Sequence, residues 1–439
     1  MPLRNSKIIR SFIAASILGA ALAHGAGFAI IENSASGMGS AFSSGGAAAE
    51  DASTIWFNPA SMTRLTGHNV VAAAHLIVPK TDFTNNGSTN ADGTPLGGPD
   101  SEGGKTALVP NFYYSGEITE ALFAGIGINA PFGLGTKYDD DWVGRYHAVD
   151  TDLTTININP ALAYKIDDHW SVGGGVSLQY VDITMSSAVD FGALLGKPGS
   201  ADGFVELSGD NSDDLSFGWN IGLLYSLNEA TRFSLAYRSS IKHHVNGDAD
   251  FTVPASAAPV VSTGAFTDTT LYSDVTLPAS ASFSAFHSLD EEFDLMLDIL
   301  WTQWSVFDEL RIKYDNPEQP DSVTTENYQD QWRVALGGRY LVNDELVLRL
   351  GTAYDQKAVK SSKYRTPRIP DSDRLWVSLG LGYSLAKNVG LDLGYSHLFV
   401  NDASINNTFE SSQSSMNHTL KGDYDSSIDI FSAQLTVNF

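Results

Sequence analysis

The chain predicts an all-β fold, a transmembrane antiparallel β-barrel of about 14 strands with an N-terminal hatch, or plug, in its lumen. Three observations carry that expectation. Apolar and polar residues alternate with period two through most of the chain. No stretch after residue 25 approaches the ~20 apolar residues of a spanning helix. The linkers between alternating runs switch between short and long, as in a barrel with turns at one rim and loops at the other. Lipid leaves only helices and closed barrels able to satisfy every backbone group.

The N-terminus reads as an export signal. Arg4, Lys7 and Arg10 supply a positive start, residues 12–23 an apolar run, and Ala23-His24-Gly25 the small residues a signal peptidase reads. That run is too short to cross a bilayer of about 30 Å as a helix. Residues 1–25 are therefore assigned to a signal peptide.

Residues 26–66 do not alternate. Ser34-Ala35-Ser36-Gly37-Met38-Gly39 and Ser43-Ser44-Gly45-Gly46-Ala47 are small enough for tight backbone packing. Phe28, Ile30, Ile31, Ile55, Trp56 and Phe57 are too apolar for a solvated tail. A plug fits better, because a barrel of this size otherwise leaves a channel.

Residues 67–439 carry the barrel. At the C-terminus Phe431, Ala433, Leu435, Val437 and Phe439 alternate with Ser432, Gln434, Thr436 and Asn438. Similar runs begin at Thr155, Ser216, Phe293, Trp332 and Leu375. Their polar partners are Ser, Thr, Asn and Gly with scattered Arg and Asp, which suits a lumen better than the outer face of a soluble β-sandwich. Short turns fall at 167–169, 228–230, 290–292, 343–345 and 387–388. Long loops are expected at 81–104, 188–213, 252–270, 315–327 and 401–422. Trp170, Tyr225, Trp301, Tyr340, Tyr383 and Phe439 stand near strand ends, where interfacial aromatics belong.

Composition excludes several functions. The 439 residues hold 51 Asp+Glu against 26 Lys+Arg, a net charge of −25, which argues against a nucleic-acid partner. With no cysteine there is no disulfide framework, thiolate metal site or cysteine nucleophile. Gly125-Ile126-Gly127-Ile128-Asn129-Ala130 mimics a dinucleotide fingerprint but lies on an alternating strand. His243-His244 and the acidic run 139–141 read more simply as solvated positions than as metal ligands. No spacing brings together a nucleophile, base and orienting group, so neither an enzyme nor a cofactor is expected.

Four clusters of residues bear on transport. The 131–150 loop sets Phe132, Leu134, Trp142, Val143 and Tyr146 beside Asp139-Asp140-Asp141. These apolar side chains either form an exposed outer groove or pack the loop against its neighbours. Pro131 cannot donate to a ladder and Gly133 adds freedom, so strand pairing around Asn129–Gly133 either breaks or ends there. Asn58-Pro59-Ala60 has the composition of a turn. Phe28, near the mature N-terminus, is a candidate pocket residue.

Ala26-Gly27-Phe28, Ser36-Gly37-Met38-Gly39, residues 47–51 and above all Asn58-Pro59-Ala60 resemble the N-terminal hatch of the FadL-type long-chain fatty acid transporters. Asn129-Ala130-Pro131-Phe132-Gly133, Trp142-Val143-Gly144-Arg145-Tyr146, Leu277-Pro278 and Ile369-Pro370-Asp371-Ser372-Asp373-Arg374 are similar to that family too. The resemblance implies uptake of hydrophobic molecules from the outer leaflet of a Gram-negative outer membrane, with lateral release beside a kinked third strand. It assigns Asn58, Pro59 and Ala60 to the hatch, and Asn129, Pro131, Phe132 and Gly133 to the kink. Leu134, Trp142, Val143 and Tyr146 go to a low-affinity outer groove. Family positions that would hold basic head-group residues fall here on Asp182 and Gln329, which favours a neutral hydrocarbon over a carboxylate. Arg145, Arg238, Arg333 and Arg339 are candidates to provide a head-group cation, although polar-face arginines in a barrel usually serve as lumen salt-bridge partners. Expected partners are fatty acids or aromatic and aliphatic hydrocarbons, outer-membrane lipid and lipopolysaccharide, and the barrel-assembly machinery through Phe439. The chain is expected to act as a monomer. A general porin or a surface adhesin is the alternative.

Overall fold

The structure, a computed structural model, describes residues 27–439, so the signal assignment for 1–25 lies outside the described residues. The fold is a closed barrel of 14 antiparallel staves. They are β1 (His68–Asn85), β2 (Ala107–Thr119), β3 (Leu122–Asn129, continued by Gly133–Lys137), β4 (Asp150–Lys165) and β5 (Trp170–Asp190). Next come β6 (Asp202–Asp210 and Ser216–Ser226), β7 (Thr231–Arg238 and Ile241–Thr252), β8 (Thr269–Leu277 and Ser280–Ser288) and β9 (Phe293–Thr302 and Glu309–Tyr314). The wall is completed by β10 (Gln331–Leu341), β11 (Leu346–Asp355), β12 (Arg374–Ala386), β13 (Val389–Val400) and β14 (Thr419–Asn438). β14 pairs back onto β1 from Asn69↔Asn438 to Asn85↔Gly422, which closes the wall.

Period two sets what faces where. On β14, Ser432, Gln434 and Thr436 are buried toward the lumen while Phe431 is 50% exposed on the outside. Phe217 and Phe439 are 66% and 70% exposed. An outer surface this apolar is stable against acyl chains rather than water. Trp170 packs on Tyr225 with ring centroids 4.4 Å apart, and Phe293 on Tyr340 at 4.8 Å, both beside the short turns.

The strands overrun their expected ends at the long-loop rim. β5 has 21 residues and β14 has 20, against the about 9–11 needed to span a bilayer. Segments expected as loop, such as 202–210, are strand. Above the lipid, outward positions become polar (Asp82, Asp182, Asp423), so the hydrophobic alternation fades although the ladder continues.

Residues 27–65 lie within the barrel and are almost entirely buried. The helix Ala35–Gly39 starts at Ser34, whose side chain caps the Gly37 N–H. It sits so close to β12 that a Cβ on Gly380 would stand 2.5 Å from the Gly39 Cα. Polar side chains of the wall hold the rest. Gln434 accepts from the Ala35 N–H at 2.9 Å and donates to Asp51 at 2.7 Å. Arg232 donates to the Ala47 carbonyl and Arg333 to the Ala41 carbonyl. Glu50 takes Arg349 at 2.8 Å and Arg339 at 3.6 Å.

Candidate ligand passage

The third stave is broken. Between the Phe112↔Ile128 rung and the lone bridge Gly104↔Thr136, β2 and β3 do not pair. Pro131 lacks an N–H, so the ladder cannot run through it. The backbone groups freed there are taken by the N-terminal segment instead. Ile30 N–H donates to the Pro131 carbonyl at 2.8 Å and Gly133 N–H donates to the Phe28 carbonyl at 2.9 Å, around the bridge Ala29↔Phe132. Below the break, Asn129 donates to Asn33 at 2.7 Å and accepts from Asn157 at 3.1 Å.

Phe28 is the centre of an aromatic stopper. Its ring lies 4.6 Å from Trp304, 5.4 Å from Phe307 and 6.1 Å from Phe132, all edge-on. Trp304 reaches the lumen because β9 breaks into a single turn at Trp304–Val306. Its indole N–H donates to Gln331 at 3.0 Å. Gly27, at φ +62°, fits against that indole where a Cβ would clash at 2.7 Å.

Three cavities lie along this route. An outer one of about 390 Å³ sits under the long loops. It shares Met185, Leu207, Leu310 and Ile312 with an apolar middle one of about 40 Å³, bounded by Leu153, Val181, Val245 and Leu277. An inner one of about 110 Å³ lies past the stopper, between Ile30, Trp56 and Pro59 of the N-terminal segment and Pro131-Phe132 of the break. The arrangement offers an apolar solute a nearly continuous lining, at about 0.8 kcal/mol per buried CH₂.

The outer cavity has one polar end. Arg368 donates to the carbonyls of Asp150 and Ser186 and to the Thr151 hydroxyl, and its burial pulls the guanidinium down to about 10. Burial pushes the neighbouring Glu326 carboxyl up to about 8.

The structure gathers some of the expected residues and disperses others. Phe28, Pro131 and Phe132 meet at the stopper and inner cavity, with Asn129 and Gly133 on either side. Asn58 lies on the wall side of the N-terminal segment, donating to Ser234 at 2.6 Å and the Leu223 carbonyl at 3.0 Å. Its Oδ1 accepts from the Ala60 N–H, and Pro59 opens the 3₁₀ turn Pro59–Arg64. The lumen-facing cations are engaged: Arg238 donates to the Trp56 carbonyl and stacks 3.7 Å above its ring, and Arg145 pairs with Asp202 at 2.9 Å.

Two expectations are corrected. Asp182 is exposed on the outer face, and the adjacent Val181 is the one that faces the cavity. Gln329 bonds the 356–373 loop through the Lys357 carbonyl, and Tyr328 beside it is buried on the stopper side. On β5, where Asp182 sits, a shift of one residue inverts which side chains face inward. The exposed outer groove is absent as drawn. Trp142 and Val143 are fully buried with Phe83, Leu96 and Tyr424, Leu134 joins the Phe28 cluster, and only Tyr146 reaches the outer cavity. Trp142 stacks on Tyr138 at 4.1 Å and donates to the Ala148 carbonyl, so the loop folds onto its own ring. Trp142→Ala is expected to cost this loop about 3–5 kcal/mol and expose residues 138–149 to added protease.

Trp304, Glu326 and Arg368 escaped the sequence reading. Only Trp304 carries a local signal, the loss of alternation after Thr302.

A closed barrel with an apolar outer belt, an occupied lumen and an apolar route to a gap in its wall defines an outer-membrane transport channel. Residues 16–439 match the family described as outer membrane protein transport protein (OMPP1/FadL/TodX), and the chain belongs to it. It is 31% identical over 394 residues to an Escherichia coli long-chain fatty acid transport protein, covering 85% of this chain and 86% of that one. It is 32% identical over 421 residues to a 47 kDa outer membrane protein of Pasteurella multocida, covering 90% and 92%. A Pseudomonas aeruginosa FadL homologue shares the fold at a TM-score of 0.88, with 24% identity over 94% of this chain and all of that one. The protein is thus an outer-membrane transporter of this family, one of transport proteins rather than enzymes.

Proposed function

We propose that the protein takes up hydrophobic compounds, long-chain fatty acids or neutral hydrocarbons, by passive diffusion and releases them sideways through the gap beside β3. One observation carries this reading. The break in β3 is bonded by residues 28–30 and not by β2, so movement of the N-terminal segment opens the wall. A solute descending from the outer cavity meets Phe28, displaces it, and leaves between β2 and β3 into the bilayer, with no need to cross the short-turn rim.

The driving force is transfer of apolar surface, about 8 kcal/mol for ten methylenes drawn from water. Around the barrel, outer-membrane lipid and lipopolysaccharide cover the belt, Phe439 serves as the assembly signal, and one chain suffices for the route. The kinship of the Escherichia coli relative supports a fatty-acid ligand. The acidic outer cavity supports a neutral one.

Liposomes carrying the protein should swell no faster in small sugars than empty ones, because residues 27–65 fill the lumen. A deletion strain should regain uptake of a fatty acid or alkane from the wild-type gene. Phe28→Ala should alter that uptake several-fold while leaving sugars excluded. Rapid sugar entry through the wild type would establish a general porin instead.

A further inference from the structure

We propose that the polar end of the outer cavity binds an uncharged hydroxyl head group on an aliphatic chain, and that the acidic lining of the cavity turns away anionic head groups. This deepens the uptake reading and rests on it for the ligand's route.

Glu326 is 3% exposed and lines the cavity, with the Tyr328 hydroxyl beside its carboxyl and no other partner on Oε2 among the described residues. Thr366, 6% exposed, lines the same cavity with its Oγ1 unpartnered. Buried polar atoms of this kind are costly unless something bonds them. A hydroxyl satisfies both: its O–H donates to Glu326 Oε2 and its oxygen accepts from the Thr366 hydroxyl.

The charge around the cavity selects against a carboxylate. Asp190, Glu318, Asp321 and Glu410 line it against one guanidinium, Arg368, among the described residues. The bonds Arg368 makes go to Asp150, Thr151 and Ser186, where they hold β4 and β5 to the 356–373 loop. Burial keeps Glu326 up at about 8, so near neutral pH it bears a proton and meets a hydroxyl as donor or acceptor without adding to the charge. The alkyl chain follows Leu207, Leu310 and Ile312 down into the middle cavity.

The test measures binding of 1-dodecanol, dodecanoate and dodecane to the full protein in nanodiscs by native mass spectrometry at neutral pH. Dodecanol is expected to bind about tenfold more tightly than dodecanoate. Glu318→Gln/Glu410→Gln removes two carboxylates from the cavity lining, so it should raise dodecanoate affinity about tenfold with dodecanol nearly unchanged. Thr366→Val should weaken dodecanol several-fold and leave dodecane alone, which also reports a folded cavity. Equal wild-type binding of dodecanol and dodecanoate, or a ratio that Glu318→Gln/Glu410→Gln leaves in place, overturns the head-group assignment. Binding of none of the three by the wild type would overturn the uptake reading as well, whereas dodecane binding with an unmoved ratio sinks the head-group assignment alone.

Discussion

Oxidation of an Ala29→Cys/Phe132→Cys variant is expected to bring uptake of a hydrophobic probe down to that of a strain lacking the protein, and reduction is expected to restore it. Ala29 and Phe132 face each other in an antiparallel bridge whose flanking bonds run from Ile30 N–H to Pro131 and from Gly133 N–H to Phe28. Those bonds make it the non-hydrogen-bonded kind of pair, with Cα atoms about 4.5 Å apart and side chains close. Disulfides accept Cα separations of about 4.4–6.8 Å, so the bridge needs little movement. The native chain has no cysteine, and no other thiol competes. Under lateral release residues 28–30 must let go of the β3 break before a solute can pass. A covalent link at that point freezes the step and leaves the barrel ladder untouched. The reduced form carries the loss of the Phe132 ring in both states, so the oxidised-to-reduced ratio isolates the lock. Equal uptake in the two states would mean that solutes do not leave by this gap, and the protein would remain a transporter with a different exit.

The barrel was legible because lipid outside and polar lumen inside impose a period of two that a single strand displays by itself. Phe431, Leu435 and Ser432, Gln434 show their faces without any partner. The same rule made single site residues fragile. Asp182 sits one position from Val181, which faces inward, and one step along a strand is a change of side. Gln329 lies beside the buried Tyr328 in the irregular connection before β10, where no period sets the faces. Loop packing was not legible. Trp142 is buried by Phe83 at the end of β1 and by Tyr424 in β14, contacts that no local pattern encodes. The polar end of the outer cavity joins Glu326 from one loop and Arg368 from another, and their meeting follows from barrel closure. Asn58-Pro59-Ala60 was visible as a motif, but its grip on Ser234 needed the wall in place.

Arg349→Leu is expected to loosen the N-terminal segment and let small sugars through the lumen in liposome swelling, where the wild type excludes them. Arg349 is 299 positions from Glu50 in the chain and donates to it at 2.8 Å, while also pairing with Asp392 at 2.8 Å. Arg339 supports Glu50 at 3.6 Å but is itself committed to Asp294 at 2.6 Å. Removing Arg349 therefore leaves Glu50 and Asp392 buried with too little positive charge, a loss of about 3–5 kcal/mol for a broken buried pair. At about 1.4 kcal/mol per tenfold, the unseated population rises by about two to three and a half orders of magnitude. The β10–β11 and β11–β12 ladders run through backbone atoms, so the variant should keep the heat-dependent gel mobility of a closed barrel. Glu50→Gln in the same chain removes the stranded charge and should recover much of the exclusion. A variant that stays sealed, or a double variant no tighter than Arg349→Leu, would show that the seat depends on the backbone bonds from Arg232 and Arg333 and on the Gly39–Gly380 contact, with the ion pair contributing little.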